Sequence, residues 1–498
     1  MTGNLADLVR AAAAAHPDKP ALRFHGQTTT WAELDSAADG VAHGLAGLGL
    51  DRGDRVALHL GNTPDFPAAY FGTLRAGLVA LPVNPGYTVP ELTHVLGDSG
   101  ARAVVTTSDG AAAVRAVTGG PDHVLVTGED SWADLLTDSS PYDVVGGGED
   151  LAVLLYTSGT SGRPKGAMLT HRALLANLEQ TSAIDPQVVS ADDVVLLVLP
   201  LFHVYGLNAA LGMVARHGAT GVLVERFDPV ATLEEIGRSD VTNVVGAPPM
   251  WVAWSLLPDV GDAFESVRLC VSGAAPLPAD VLHRVLDVTG HHVFEGYGLT
   301  ETAPVLTSTL MSEVPKAASI GRPIPEVELR LLDAHGRPAE DGDPGEIVVR
   351  GANLFSGYWP DGADGPDANG WFATGDVAVL DDDGDLHLVD RTRELVLVSG
   401  FNVYPREVEE VIDTHPEVAE VAVLGIPHPY TGQSVKALVV RTPGSALTAD
   451  AVIAHAAGSL ARFKCPTVVE MVDELPHTAT GKVSKGRLRE LDEGGPPA

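Results

Sequence analysis

The chain has 498 residues, 45% apolar and 20% charged, which is enough for two or more domains that each bury a core. Its 32 basic and 66 acidic residues give a formal net charge of −34, which argues against nucleic acid or an anionic membrane as the main partner. The two cysteines, Cys270 and Cys465, exclude a disulfide framework and fit a reducing cytoplasm, with Cys270 expected to be a buried thiol.

Residues 1–150 alternate between helical and strand patterns, which predicts a wound α/β sheet. Helices are expected over Leu5–Ala15, Trp31–Leu48, Pro64–Ala76 and Pro90–Asp98. Strands are expected over Ala21–Phe24, Arg55–Leu60, Val79–Val83, Ala103–Thr106 and His123–Val126. The polar, glycine-rich run 139–149 is interpreted as a linker.

A loop rich in glycine and hydroxyl residues follows the apolar run Leu151–Leu155, a predicted buried strand. The loop reads Tyr-Thr-Ser-Gly-Thr-Ser-Gly-Arg-Pro-Lys-Gly over 156–166 and precedes a predicted helix over Leu169–Thr181. We expect this loop to bind phosphate, because its glycines allow close backbone N–H groups, its hydroxyls donate and Lys165 is positively charged. The alternative is a flexible turn. Pro164 and Gly166 break the Walker A pattern, so an ordinary P-loop enzyme is disfavoured.

The second α/β half, about 150–315, has three loops that follow predicted strands. Its strands are expected over Val194–Leu199, Gly221–Val224, Asn243–Val245, Val267–Val271 and His292–Glu295. The loops are 200–203, 272–276 and 295–302, and ligands bind beyond strand ends in open α/β sheets. The uncharged stretch Val194–Ala215 is long enough to span a bilayer, but its internal proline and polar residues favour a strand, a loop and a buried helix.

The residue types in these loops suit a nucleotide. Tyr297, between Gly296 and Gly298, is able to stack on a base, while Thr300 and Glu301 suit phosphate and Mg²⁺. His203 taken alone is better explained by a hydrogen-bonded core position than by catalysis.

From about Gly321 the pattern changes to short β segments with tight turns, which predicts a small β-barrel subdomain. The segments are Glu328–Leu332, Gly345–Arg350 and Asp385–Val389. Thr374-Gly375-Asp376 is expected to present an exposed carboxylate that accepts from two ribose hydroxyls, with an ordinary turn aspartate as the alternative.

Residues 391–498 form a distinct tail with 11 basic and 14 acidic residues, so its net charge is −3 and that of the first 390 residues is −31. We expect an N-terminal domain over 1–390 and an α+β C-terminal domain over 391–498, ending in a loop that presents Lys482. The tail's predicted helices are Glu407–Ile412 and Ala449–Ala461, and its strands are Val418–Leu424, Val435–Arg441 and Thr467–Val472.

Seven motifs together resemble, in content and order, those of adenylate-forming enzymes, the superfamily of acyl-CoA synthetases, luciferases and peptide-synthetase adenylation domains. They are the 156–166 loop and the segments 199–203, 296–301, 374–376, 390–391, 400–405 and 480–482. The 399–405 version is similar to that of medium- and long-chain fatty acyl-CoA ligases. The resemblance implies a large N-terminal domain, a small mobile C-terminal lid and two steps: a carboxylate and MgATP give acyl-AMP, and the thiol of coenzyme A then displaces AMP.

The resemblance also implies roles for individual residues. ATP and AMP would be held by Thr157, Ser158, Gly159, Thr160, Lys165, Gly273, Ala275, Tyr297, Gly298, Thr300, Asp376 and Arg391. Mg²⁺ would be bound by Glu301 and Thr160, while Lys482, His203 and Glu301 would be catalytic. The hinge would be Arg393, coenzyme A would meet Gly400 and Phe401, and the acyl pocket would include His203, Gly206 and Gly296.

We expect an aliphatic acid of medium to long chain as substrate. Position 296 is a glycine and not an arginine, which weakens the hypothesis that the substrate is a dicarboxylic acid. The alternatives are an aryl or short-chain acid, a carrier-protein phosphopantetheine as acceptor, and a non-catalytic nucleotide-binding protein. Arg393-Glu394 and Val483-Ser484-Lys485 depart from the usual hinge and final motifs, which leaves the contacts to the coenzyme A phosphates open.

Overall fold

The computed structural model describes residues 3–157, 164–312, 315–333, 335–340, 342–391, 396–398, 401–428, 432–460, 462–477, 483–485 and 487–489. They form two compact units, one from the described residues of 3–328 and 350–372, the other from those of 329–349 and 373–489. The domain boundary near residue 390 remains a prediction.

The first unit contains two sheets. Its strands are β1 Pro20–Phe24, β2 Gln27–Thr30, β3 Arg55–His59, β4 Val79–Pro82, β5 Ala103–Thr106, β6 His123–Val126, β7 Leu151–Thr157, β8 Lys165–Thr170, β9 Val194–Leu197, β10 Thr220–Leu223, β11 Asn243–Gly246, β12 Leu269–Ser272, β13 Val293–Gly298, β14 Val305–Ser308 and β15 Arg322–Pro323. The six-stranded sheet has the order β6-β5-β3-β4-β7-β8, and the nine-stranded sheet has the order β15-β14-β13-β12-β11-β9-β10-β1-β2.

Helices connect most of these strands, as the alternating pattern predicts. They are α1 Asp7–Ala15, α2 Trp31–Gly47, α3 Asp65–Arg75, α4 Val89–Ser99, α5 Ser108–Arg115, α6 Asp130–Ala133, α7 His171–Ser182, α8 Met213–His217, α9 Pro229–Arg238, α10 Pro248–Trp254, α11 Val260–Ala263 and α12 Ala279–Thr289. Short 3₁₀ turns cover Asp134–Thr137, Thr300–Thr302 and Thr309–Met311, and a π-helix covers Tyr205–Gly212. Thr30 and Glu33 form a capping box at the start of α2, which satisfies two of its free N–H groups.

Apolar side chains between helices and sheets form the cores that support the site. In the nine-stranded layer, Trp251, Trp254 and Phe264 pack with strand residues such as Val244 and Cys270. Cys270 is fully buried, as predicted, and burial raises the pKa of its thiol.

The second unit contains two further sheets. Its strands are β16 Glu328–Leu332, β17 Gly345–Arg350, β18 Phe372–Leu380, β19 Leu386–Arg391, β20 Val396–Val398, β21 Phe401–Val403, β22 Val418–His428, β23 Gly432–Arg441 and β24 Val468–Val472, and its helices are α13 Pro405–Asp413 and α14 Ala449–Ala457. The strands β16-β17-β18-β19 form a four-stranded sheet, almost wholly within this unit, where the sequence predicts the small β subdomain. The other five strands form one α-covered sheet, and Val408, Ile412 and Val452 fill its core.

The helix predicted after the first glycine-rich loop, from about Leu169 to Thr181, is present as α7, His171–Ser182. The sequence analysis did not predict the strand before it: residues 165–170 form β8, which pairs antiparallel with β7. The hydroxyl of Thr170 caps that helix by accepting from the N–H of Ala173. The run from strand to helix is therefore a β-hairpin followed by α7.

Across the described ranges, no helix combines the length and the apolar character that crossing a bilayer requires.

Candidate active site

Three of the predicted site loops lie at one edge of the nine-stranded sheet. The strands β9, β11, β12 and β13 are neighbours and run parallel, so their carboxyl ends meet at that edge. The loops that contain His203 and Gly273 follow β9 and β12, and Tyr297 lies near the end of β13. The structure thus shows that these loops share one sheet edge, the place where ligands bind in open α/β sheets, and their joint nucleotide site stays a prediction.

The loop before His203 is fixed by a buried asparagine that the sequence analysis missed. The Asn62 side chain donates to the carbonyl oxygens of Leu197 and Leu199 at 3.0 and 2.9 Å and accepts from the N–H of Leu201 at 2.9 Å. His203 is half-buried, and its backbone N–H donates to the Pro200 carbonyl at 3.1 Å. The end of β9 therefore holds His203 on a rigid loop.

Gly206 permits a close backbone contact. A Cβ at this position would lie 2.4 Å from the carbonyl oxygen of Pro200 and 2.8 Å from that of Leu199. Its small size is therefore explained by the turn into the π-helix, and its place in the acyl pocket stays a prediction.

A tyrosine packs against the backbone after β12. A Cβ on Gly273 would lie 2.9 Å from two ring carbons of Tyr205 and 3.0 Å from its hydroxyl. This hydroxyl is buried and has no hydrogen-bond partner among the described residues, and burial raises the pKa of the phenol. Ala275, two residues beyond Gly273, is half-buried. The sequence signal for Tyr205 is its position two residues after His203.

The glycines on either side of Tyr297 have different surroundings. Among the residues that the structure describes, a Cβ on Gly296 would meet only the Thr307 carbonyl oxygen, at an ordinary 3.7 Å, whereas a Cβ on Gly298 would lie 1.7 Å from the Pro304 carbonyl oxygen. Tyr297 is half-buried between them. Space is therefore open beside Gly296 and closed beside Gly298.

The carboxylate of Glu301 is buried in the 3₁₀ turn that follows β13. Its Oε1 accepts a hydrogen bond of 2.5 Å from the phenol of Tyr358. The side chain of Asn208, in the π-helix, donates to the Ala303 carbonyl at 2.7 Å and fixes the end of the turn. Thr300 is half-buried in the same turn.

Lys165 lies at the first position of β8, opposite Thr157 at the end of β7. Its Nζ is 3.0 Å from a carboxylate oxygen of Asp364 and 5.1 Å from the centre of the Tyr358 ring. Tyr358 therefore contacts both Lys165 and Glu301, which the chain places on different sheets. Sequence reasoning missed Tyr358 and Asp364, although the aromatic pair Tyr358-Trp359 after Gly357 was a visible signal.

In the second unit, Asp376 lies within β18 and opposite Arg391 of β19. Its side chain is buried, with 6% of the residue exposed, so the prediction that this carboxylate is exposed is wrong, while its ribose-binding role stays a prediction. Thr374 turns inward two residues earlier, where its hydroxyl donates to the Ile347 carbonyl at 2.9 Å.

Several predicted site residues fall outside the described part of the chain. These are Ser158, Gly159, Thr160, Arg393, Gly400 and Lys482. For Arg391 and Phe401 the structure describes the backbone only.

The second unit also contains a cavity of about 380 Å³. Arg462, Phe463 and His428 contribute to its lining. Beside it, the Nζ of Lys464 lies 2.6 and 2.8 Å from the carboxylate oxygens of Glu407. The cavity thus combines a cation and an aromatic face.

The Glu301 carboxylate is suited to bind a Mg²⁺ ion that the phosphates of a nucleotide also bind. Over the described ranges, no three His, Cys, Asp or Glu side chains are grouped so as to hold a metal by themselves. Mg²⁺ is commonly held by one or two carboxylates together with substrate phosphates and water. A single buried carboxylate with one oxygen already oriented meets that need.

Two family models match this chain. Residues 9–359 match the family model described as AMP-binding enzyme, and residues 407–482 match that described as AMP-binding enzyme C-terminal domain.

Relatives match over nearly the whole length. The chain is 36% identical to a long-chain-fatty-acid–CoA ligase of Yersinia pestis, over 98% of this chain and 94% of that protein. It is 39% identical to a feruloyl-CoA synthase of an Amycolatopsis species, over 95% and 96%. The crystal structure of ATP-bound MatB from Rhodopseudomonas palustris superimposes with a TM-score of 0.91 at 34% identity, covering 98% of this chain and 99% of that one.

Proposed function

We propose, from the premise that this chain belongs to the AMP-binding enzyme family, that it activates a medium- to long-chain fatty acid with ATP and transfers the acyl group to coenzyme A. The chain is an acyl-CoA synthetase, an AMP-forming acid–thiol ligase. The observation that carries the proposal is the shared contact of Tyr358 with Lys165 and Glu301, which brings a cation and a carboxylate together beside the strand-end crevice.

In the first step, a carboxylate oxygen of the acid attacks the α-phosphorus of ATP. An O–P bond forms, the P–O bond to the β-phosphate breaks, and pyrophosphate leaves with acyl-AMP retained. Lys165 and the hydroxyl of Thr157 would hold the departing phosphates, together with Ser158, Gly159 and Thr160 of the hairpin. Two anions must meet in this step, so fixed cations and donors lower its barrier.

Other residues would orient the nucleotide. Tyr297 would stack on adenine beside Gly273, Ala275 and Gly298, and Thr300 would contact the α-phosphate. Asp376 and Arg391 would bind the ribose. Glu301 would hold Mg²⁺ with Thr160, and a bound ion would supply positive charge next to the phosphates.

In the second step, the thiol of coenzyme A attacks the acyl carbon. A C–S bond forms, the C–O bond to AMP breaks, and the thiol proton is released. His203 would lie where the carboxyl group and the thiol meet, and Gly400 and Phe401 would line the path of the pantetheine. Arg462 and Phe463 in the second-unit cavity offer a charge and an aromatic face for the nucleotide end of coenzyme A.

Two features support an aliphatic acid. The space beside Gly296 is open, and a long-chain-fatty-acid–CoA ligase is among the full-length relatives. The roles of Arg393 as hinge residue and of Lys482 as lid residue are part of this proposal, as is a cytoplasmic location.

A panel of acids tests the substrate. Octanoate, palmitate, ferulate and malonate are each supplied with ATP, Mg²⁺ and coenzyme A, and AMP release is followed. We expect the highest kcat/KM with octanoate or palmitate; replacing coenzyme A by a carrier protein distinguishes the alternative acceptor. Absence of acid-dependent ATP–pyrophosphate exchange would show a non-catalytic nucleotide-binding protein.

A phenolic aryl acid is the second candidate. The buried Tyr205 hydroxyl lacks a partner in the described part of the chain and is therefore available to a polar acyl group. The variant Tyr205→Phe separates the two candidates, because it should leave activity with palmitate unchanged and should lower activity with ferulate if the aryl acid is the substrate.

A further inference from the structure

Tyr358 occupies a position between two groups that the proposed reaction uses. Its hydroxyl donates to Oε1 of Glu301 at 2.5 Å, and its ring centre lies 5.1 Å from Nζ of Lys165. Lys165 belongs to the six-stranded sheet and Glu301 follows a strand of the nine-stranded sheet. One side chain thus links the β7–β8 hairpin to the turn that follows β13.

The backbone around Tyr358 is attached to both parts as well. On the β8 side, the N–H of Trp359 donates to Gly166 at 2.8 Å, and the N–H of Met168 donates to Gly357 at 3.1 Å. On the other side, the N–H of Phe355 donates to the carbonyl of Glu301 at 2.9 Å. The 355–359 segment therefore fixes the distance between the hairpin and the Glu301 turn.

The Tyr358 ring itself is held by packing. The ring of Phe355 meets it edge-on, with centres 5.1 Å apart and planes at 76°. A ring fixed in this way keeps its hydroxyl directed at one oxygen of the carboxylate and leaves the other oxygen for a second ligand.

We propose that Tyr358 is a positioning residue for nucleotide-bound Mg²⁺, acting through Glu301. Partners that orient a ligating carboxylate influence metal affinity strongly, and their removal commonly weakens binding 10- to 100-fold. The inference rests on the proposed function, because it requires Glu301 to bind the ion.

A tyrosine with a purely structural role is the competing explanation. It would affect folding, and with it every ligand, to a similar degree. An effect confined to Mg²⁺, and absent when Glu301 no longer binds the ion, separates the two explanations.

The experiment measures ATP binding by calorimetry in the absence of acid and coenzyme A. ATP is titrated into the wild type, Tyr358→Phe, Glu301→Gln and the double variant, first in EDTA and then at increasing MgCl₂. Phenylalanine preserves the ring over Lys165 and removes only the donor to Glu301. Trp132→Phe is the control. It also removes an aromatic donor to a carboxylate, since the Trp132 indole donates to Asp65 at 3.0 Å elsewhere in the first unit.

We expect Tyr358→Phe to raise the MgCl₂ concentration for half-maximal ATP binding by about 10-fold or more, and to change ATP binding in EDTA by less than about twofold. In the Glu301→Gln background the same substitution should change neither quantity by more than about twofold, because the two residues act as a unit. Trp132→Phe should leave both quantities unchanged even if it lowers the melting temperature.

Three results would overturn the proposal. Tyr358→Phe could weaken ATP binding equally with and without Mg²⁺, it could weaken Mg²⁺-dependent binding equally in the wild-type and Glu301→Gln backgrounds, or it could leave ATP binding unchanged. A Glu301→Gln variant with wild-type Mg²⁺ dependence would show that the metal role in the proposed function is wrong. A wild type that does not bind ATP would show that the proposed function itself fails. Should Tyr358→Phe fold poorly, Tyr358→Leu, which also lacks a donor to Glu301, provides the second test with the same titrations.

Discussion

At the residue scale, Lys165 holds a carboxylate where we expect it to hold phosphate. Its Nζ lies 3.0 Å from Asp364, and the two side chains are 44% and 66% exposed. A pair this exposed contributes about 0–1 kcal/mol, so the phosphates of ATP are able to displace Asp364. The aspartate then acts as a weak competitor for the nucleotide.

Asp364→Asn should therefore tighten ATP binding, by at most about fivefold, because removal of the competing charge returns no more than the pair's own contribution. Calorimetric titration with ATP measures the change, and added salt should reduce it. Asp280→Asn is the matched control, because it removes an equally exposed charge (68%) from another ion pair, in which Oδ2 of Asp280 lies 2.9 Å from Nη2 of Arg284. Weaker binding in Asp364→Asn would show that Asp364 positions Lys165 for the nucleotide.

His171 makes folding stability depend on pH. It is buried, its Nδ1 accepts from the N–H of Leu5 at 3.0 Å, and burial lowers the pKa of its imidazole from 6.5 to about 4. The unfolded chain takes up this proton first as the pH falls, so stability that is fully present above pH 6.5 is lost between pH 6.5 and about 4. We expect a loss of about 3 kcal/mol from this group in the free energy of unfolding.

Urea unfolding at pH 7 and pH 4.5 measures this loss. His171→Gln keeps an acceptor for Leu5 and does not titrate, so its stability should fall less over the same range. Equal losses in both proteins would mean that carboxylates alone produce the acid sensitivity.

At the scale of elements, β13 carries two glycines whose substitution should have opposite consequences. Gly298→Ala places a Cβ 1.7 Å from the Pro304 carbonyl oxygen, so the backbone must move, and we expect a loss of about 1–3 kcal/mol or more together with loss of ATP binding. In Gly296→Ala the new methyl group meets, within the described ranges, only the Thr307 carbonyl oxygen at 3.7 Å, so the free energy of unfolding should change by less than about 0.5 kcal/mol.

Activity completes this comparison. Gly296→Ala should fold normally but lower kcat/KM more for palmitate than for octanoate, because the added methyl group narrows the open space. Equal effects on both acids would place the acyl chain elsewhere. Thermal melts and the two kinetic series decide the matter.

The hairpin of β7 and β8 shows why some elements escape prediction. The run Ala167–Thr170 is too short for its apolar pattern to separate strand from helix. The choice is made by pairing with β7 on one edge and with Gly357 on the other, almost 190 residues later. Where a local apolar run is enough to predict a strand, as for β9 before the His203 loop, the sequence predicts the element correctly.

The same reason explains the two site features that the sequence could not reveal. The sequence analysis predicts an exposed carboxylate at Asp376, but the residue lies in β18, pairs with Arg391 of β19 and is buried. The aromatic pair at Tyr358 is visible in the sequence, but its partners are set by the fold, which brings Lys165 and Glu301 to its two sides. Contacts between distant segments leave no periodicity in the sequence.

At the scale of the whole molecule, the charge is unevenly divided. The first 390 residues carry −31 of the total −34, and the last 108 carry −3. A tail with little net charge suits a domain that approaches ATP, because a strongly acidic surface would repel the phosphates. The lysine that we expect to act at the reacting bond, Lys482, belongs to this tail.

Lys482 and Lys165 are 317 positions apart, and only the first step of the reaction joins a carboxylate to a phosphate. A cation supplied by the tail would neutralise charge in that step and would have no part in thioester formation, so its removal should separate the two half-reactions. We expect Lys482→Ala to slow acid-dependent ATP–pyrophosphate exchange by about 100-fold or more, and to convert supplied acyl-AMP and coenzyme A to thioester at near the wild-type rate. Lys485→Ala, which removes a lysine 2.8 Å from Glu409, serves as the control and should alter both half-reactions in parallel. Equal losses of both half-reactions in Lys482→Ala would show that the tail is not a lid that serves the first step alone.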